Sequence, residues 1–144
     1  MTENETRKWL QSIQLDSDEL KKKFTQIEEL RAVAESCTVR TDKESVQTSG
    51  SGDKMANVVG KIVDIEREIE KIDGLIIKKR NEFTDIVKLI SDEREKEFLN
   101  VRYYDGNAFF DTVMIMNLSD STVRRIQRKA ITNFMTKYNE KHNI

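Results

Sequence analysis

From Val58 to Ile90 the apolar residues Val58, Ile62, Ile65, Ile69, Ile72, Ile76, Phe83, Ile86 and Ile90 recur in alternating steps of four and three, and only Lys79 interrupts them. That spacing predicts a long helix with a heptad seam. Val59, Val63, Leu75, Ile77, Val87 and Leu89 widen the stripe beyond two positions per heptad, so the helix is expected to meet more than one neighbour. The first neighbour is local. Residues 17–37 place Leu20, Phe24, Ile27, Leu30, Ala34 and Cys37 at helical spacing, and Asp16 with Glu19 has the spacing of an N-terminal capping box. Trp9, Leu10 and Ile13 suggest a short helix before it. Between the long helices, residues 38–52 read "TVRTDKESVQTSGSG", where polar and turn residues replace the apolar period and a flexible loop is expected. The result is an antiparallel, coiled-coil-like hairpin over residues 1–90. Its surplus apolar surface predicts a homodimer.

Beyond Ile90 the pattern shortens. Three amphipathic pieces are separated by turn signals: Ser91 or Asp92 caps the first, Asp92 and Glu95 repeat the capping-box spacing, and Gly106 in "YYDG" closes it. The second runs from about Ala108 to Met116 with Phe109, Val113 and Met116 inward. In "MNLS", Asn117 tolerates positive φ, Leu118 plugs the core and Ser119 caps a third helix that buries Val123, Ile126, Ala130 and Phe134. Two helices joined by so few residues, the second basic outside, predict a helix-turn-helix within a three-helix domain over residues 91–144.

Composition narrows the class to all-α. There is no proline, only five glycines, and 35% of the residues are charged. No apolar run reaches the ~20 residues of a membrane span and the N-terminus lacks a signal-peptide block, so a soluble, cytoplasmic protein without a membrane partner is expected. One cysteine, Cys37, and one histidine, His142, leave no intrachain disulfide and no Cys/His metal cluster. Cys37 reads as a small apolar residue near a helix end, and His142 as part of a frayed tail. No phosphate loop, nucleophile elbow or spaced carboxylate motif is present. Neither an enzyme nor a cofactor is expected.

Charge placement is more informative than the net value of −1. Residues 119–144 carry six Lys or Arg against two acids, a local balance of +4, whereas residues 91–118 sum to −3. On the third helix Ser121, Arg125, Arg128 and Thr132 lie opposite the buried stripe, flanked by Arg124 and Lys129, with Ser119 and Thr122 at its N-terminus. Arginines can grip phosphates or read guanine, and hydroxyls can bond phosphates or base edges. The expected partner is double-stranded DNA. With so small a net charge, binding should need two such helices acting together. A solvated charged face is the bland alternative for the same run.

The stretch "EFLNVRYYDGNAFFDTVMIMNLSDSTVRRIQRKAITNF" resembles region 4 of sigma factors and, more closely, the sigma-like C-terminal domain of ArpU/RinA-type late transcriptional regulators from phages of Gram-positive bacteria. "ELRAVAESCT", "SVQTSGSGDK" and "VVGKIVDIEREIEKID" are similar to the N-terminal part of a group of phage proteins in that superfamily. The resemblance implies a phage or prophage transcriptional regulator in the host bacterial cytoplasm, with host RNA polymerase as a further partner. It also exposes a departure. Such domains place acids and a small alanine in the second helix, where "AFFDTVMIM" has Phe110, Met114, Ile115 and Val113. Two readings stand: these apolar side chains are buried against the hairpin or a dimer mate, or Phe110 and Met114 form a docking patch for a protein partner.

Overall fold

The computed structural model describes the backbone of residues 1–43 and 49–144, and the side-chain surroundings of residues 1–36 and 52–144. The chain is all-α. An antiparallel hairpin of α1 (Glu3–Lys43) and α2 (Ser49–Lys88) precedes a cluster of shorter helices, α3 (Glu93–Leu99), α4 (Phe109–Met116) and α5 (Asp120–Lys141). Contacts group the chain into two compact units, Met1–Asp16 with Ile76–Ile144, and Ser17–Leu75. The sequence pattern divides it at residue 90 instead, because the change in apolar spacing falls there.

α1 is one helix, not two. The expected break at Asp16 is absent, and Asp16 caps nothing: its carboxylate takes Lys79 Nζ, which also donates to Ser12 Oγ at 2.9 Å. Asp16 thereby continues the seam that runs from Leu10 and Ile13 toward Leu20, and Lys79, the interruption in the α2 seam, is its partner. Two polar lapses on facing helices cancel as an ion pair. Of residues 38–52, expected to form a loop, 38–43 remain in α1 and 49–52 open α2. Thr and Asp near the end of α1 are weak helix formers but do not forbid a helix, and Lys43 favours one. Residues 44–48 lie outside the described residues, as does the side chain of Cys37.

In the Ser17–Leu75 unit, Ile27 and Val58 are buried while Leu20, Leu30, Ile62, Ile65, Ile69 and Ile72 are half-buried. Two helices alone cover only one side of each seam residue. Ion pairs from Lys23 to Glu68 at 2.7 Å and Arg31 to Glu66 at 3.8 Å join α1 to α2 beside the seam.

The other unit holds the larger core. Leu10 and Ile13 of α1 and Phe83, Ile86 and Val87 of α2 join Phe98, Leu99, Tyr103, Val123, Ala130, Ile131 and Phe134. Aromatic rings bind the elements together: Phe134 lies 5.6 Å from Trp9 and 5.8 Å from Phe83, and Tyr104 lies 5.7 Å from Phe83 beneath the Arg80 guanidinium. Asp92 caps α3 by accepting from the N–H groups of Arg94 and Glu95. Glu95 does not complete a capping box. Its buried carboxylate accepts from Asn133 Nδ2 instead, tying α3 to α5. A π-helical turn, Asn100–Tyr104, extends α3 and turns Tyr103 inward against Phe98. Gly106, at φ +78, then reverses the chain against the Gln14 side chain.

His142 is not frayed. Its ring contacts the Glu82 carboxylate and lies 4.3 Å from the Tyr138 ring. Among the described residues no helix is long and apolar enough to cross a membrane, and no cluster of three or more His, Cys, Asp or Glu could hold a metal ion.

Candidate nucleic-acid interface

The site begins with how α4 stops and α5 starts. Asn117 adopts the left-handed conformation at φ 55 and ψ 43, and its N–H reaches the carbonyls of Val113 and Met114 at 3.1 and 3.2 Å. Asparagine accepts this geometry more readily than most non-glycine residues. Leu118 packs half-buried on the core, and Ser119 turns extended so that its Oγ accepts the Thr122 N–H at 3.2 Å. Three residues thus separate α4 from α5. The corner read from "MNLS" is present at each position.

Burial then fixes the rotation of α5. Val123, Ala130, Ile131 and Phe134 are fully buried, Ile126 half-buried, and Ile131 is a core position that the sequence pattern missed. The opposite side is open to solvent: Ser121, Arg125, Arg128 and Thr132 are exposed at steps of four, three and four, with Lys129 exposed beside them. Arg125, Arg128 and Lys129 make no ion pair or hydrogen bond through their side chains among the described residues.

The other basic and hydroxyl candidates are engaged locally. Arg124 is exposed, but its Nε donates to Asp120 at 2.7 Å and its guanidinium lies 5.1 Å from the Phe109 ring centroid. It braces the start of α5 against α4, a role that the run of cations in the sequence does not reveal. Thr122 is half-buried, with its hydroxyl 2.7 Å from that of Ser119; Ser121 Oγ lies 3.3 Å from Ser119 Oγ. These three hydroxyls form one cluster at the N-terminal end of α5.

α4 spans Phe109–Met116, close to the expected helix, and differs from expectation at one core position. Thr112, not an apolar residue, is its most buried position, and its hydroxyl donates to the Ala108 carbonyl at 2.9 Å. That local bond satisfies the hydroxyl, so the polar side chain is not left unpaired in the core. Phe109 and Val113 are half-buried, whereas Phe110, Met114 and Ile115 stand 70, 65 and 54% exposed. These three are not buried against the hairpin of the same chain, which leaves a dimer mate or a protein partner as the cover that the sequence reading allows. Phe109, Val113 and Met116 face inward as the apolar spacing predicts, Thr112 joins them, and Phe110, Met114 and Ile115 face out.

Electrostatic perturbation lies elsewhere. Partial burial raises the Glu82 carboxyl, but hydrogen bonds from His142 and Lys141 and the Lys141 charge outweigh it, so the group is held below the usual carboxylate range. Lys141 is correspondingly raised by its hydrogen bond to Glu82. Both belong to a clamp between the end of α5 and α2, away from the arginine face of α5.

No curated protein and no solved structure matches the chain. Residues 35–135 match a family described as a protein of unknown function, DUF1492. That span takes in the end of α1, all of α2, α3 and α4, and α5 as far as Met135. The chain belongs to the DUF1492 family.

Proposed function

We propose that the protein is a DNA-binding transcriptional regulator of phage or prophage genes that acts as a dimer, with α4 and α5 as a sigma-region-4-like helix-turn-helix and α5 as the groove-entering helix. One observation carries the reading. Behind a capped three-residue corner, α5 presents Ser121, Arg125, Arg128 and Thr132 on one solvent-facing stripe, and neither arginine is consumed by an internal partner among the described residues. Arg125 and Arg128 supply phosphate or guanine contacts; Lys129 and Thr132 extend them along the helix, and Ser119, Ser121 and Thr122 meet backbone phosphates near its start. Two copies, held through apolar surface of the hairpin, place two such stripes in successive grooves and offset the low net charge.

The test is a mobility shift on fragments of the encoding genome with wild-type protein and the Arg125→Ala/Arg128→Ala variant. Retention of a specific fragment by the wild type, lost in the variant at unchanged helix content and oligomeric state, supports the assignment. Equal retention by both rejects it.

A second reading rests on a different observation. Phe110, Met114 and Ile115 form an exposed apolar patch on α4, of the kind that marks a protein contact. In that reading the short-helix cluster docks on a host protein such as RNA polymerase. Loss of binding to purified polymerase on Phe110→Asp, with no DNA retention at low salt, favours it over the first.

A further inference from the structure

The hairpin carries a second periodic stripe beside its closed seam. On α1, Phe24, Glu28, Arg31 and Glu35 follow one another at steps of four, three and four; on α2, Val59, Val63, Glu66, Glu70 and Asp73 repeat the alternation. The two stripes lie on the same side of the hairpin. A cleft of about 330 Å³ is lined by Phe24, Glu28 and Arg31 from one helix and Glu66 and Glu70 from the other, with Ile27 and Ile69 between them. Phe24 is 51% exposed at its edge, and Val59 and Val63 are exposed farther along.

From this groove we infer that the Ser17–Leu75 unit binds a third helix, amphipathic and cationic, supplied by a partner protein. The periodicity selects a helix. Two walls that both repeat every 3.5 residues on average match the knobs of a helix laid along them, as in a three-stranded coiled coil. Charge selects its sign. Among the charged residues of the two stripes, Glu28, Glu35, Glu66, Glu70 and Asp73 are acidic and only Arg31 is basic. Arg31 reaches Glu66 at 3.8 Å, and Glu28 and Glu70 have no ion-pair partner among the described residues. A second copy presenting this face would set acid against acid. A helix with Lys or Arg beside an apolar seam would pair those carboxylates while its seam covers Phe24, Val59 and Val63. The inference stands apart from DNA binding and uses none of the α5 residues.

The experiment uses the full chain and two labelled helical peptides of three heptads with the same Leu/Ile seam, one flanked by Lys and the other by Glu. Fluorescence anisotropy should detect the Lys-flanked peptide alone, with binding that weakens as salt rises. Glu28→Lys/Glu70→Lys should reduce that affinity by about tenfold or more and admit the Glu-flanked peptide, a reversal that unfolding would not produce. Phe24→Ser should weaken binding to the wild-type groove's preferred peptide. The inference is overturned if neither peptide binds, if both bind the wild type equally, or if charge reversal leaves the preference unchanged. It is also overturned if Phe24→Ser merely converts a dimer to a monomer without altering peptide binding.

Discussion

Gly106 and Phe134 illustrate how differently two residues of one core respond to change. At Gly106 the backbone sits at φ +78, and an added Cβ would meet the flexible end of the Gln14 side chain, which can move aside. The conformation, not the space, then sets the penalty: Gly106→Ala should cost about 1–2 kcal/mol, read as a shift in the denaturant midpoint with no change in slope. Phe134 touches Trp9 and Phe83 and is fully buried, so Phe134→Ala should cost about 3–5 kcal/mol in the same measurement. Phe110→Ser, by contrast, should fall within about 0.5 kcal/mol of the wild type because its ring is already in water. Titration offers a further residue-scale check. The Glu82 carboxyl is lowered in the folded chain, so its contribution is full above the ordinary value of 4.5 and fades as pH falls toward the lowered one. Glu82→Gln should therefore lower stability at neutral pH, and the gap from the wild type should shrink in acid. A gap independent of pH would remove the clamp from this account.

Among the elements, the ion pair inside the hairpin makes the clearest prediction. Lys79 and Asp16 stand where both seams would otherwise carry apolar residues. Removing one partner leaves a half-buried charge alone, so Lys79→Leu should destabilise, whereas Asp16→Leu/Lys79→Leu should recover that loss or exceed the wild type. Thermal melts of the two single variants and the double variant measure the coupling. The same pair explains what could be read from the sequence and what could not. Periodicity located α2, α4 and α5 well, because apolar spacing and turn chemistry agree at Asn117, Ser119 and Gly106. It divided α1 at Asp16 because a polar residue in a seam looks the same as a helix cap until its partner 63 positions away is known. Glu95 misled in the same manner: capping-box spacing is local, whereas its bond to Asn133 spans two helices. The exposed face of α5 was legible through Arg125 and Arg128, but the engagement of Arg124 by Asp120 and Phe109 was not. In α4 the inward face of Phe109, Val113 and Met116 was legible, but the buried Thr112 beside them was not, because its hydroxyl is satisfied within its own helix.

At the scale of the whole chain, the two compact units leave different surfaces open. The one containing the short helices closes a core of its own and exposes a basic stripe on α5; the Ser17–Leu75 unit leaves its seam half-covered and its groove acidic. We read this as a division of labour between contact with a polyanion and contact with another helix. The most direct measurement is the salt dependence of duplex binding by the wild type and the Arg125→Ala/Arg128→Ala variant. If those arginines each neutralise a phosphate, the wild-type affinity should fall steeply with salt, and the variant, which loses four such contacts per dimer, should have a log–log slope shallower by about four. A wild type that retains no duplex at low salt, or a variant with the same affinity and slope, would contradict it.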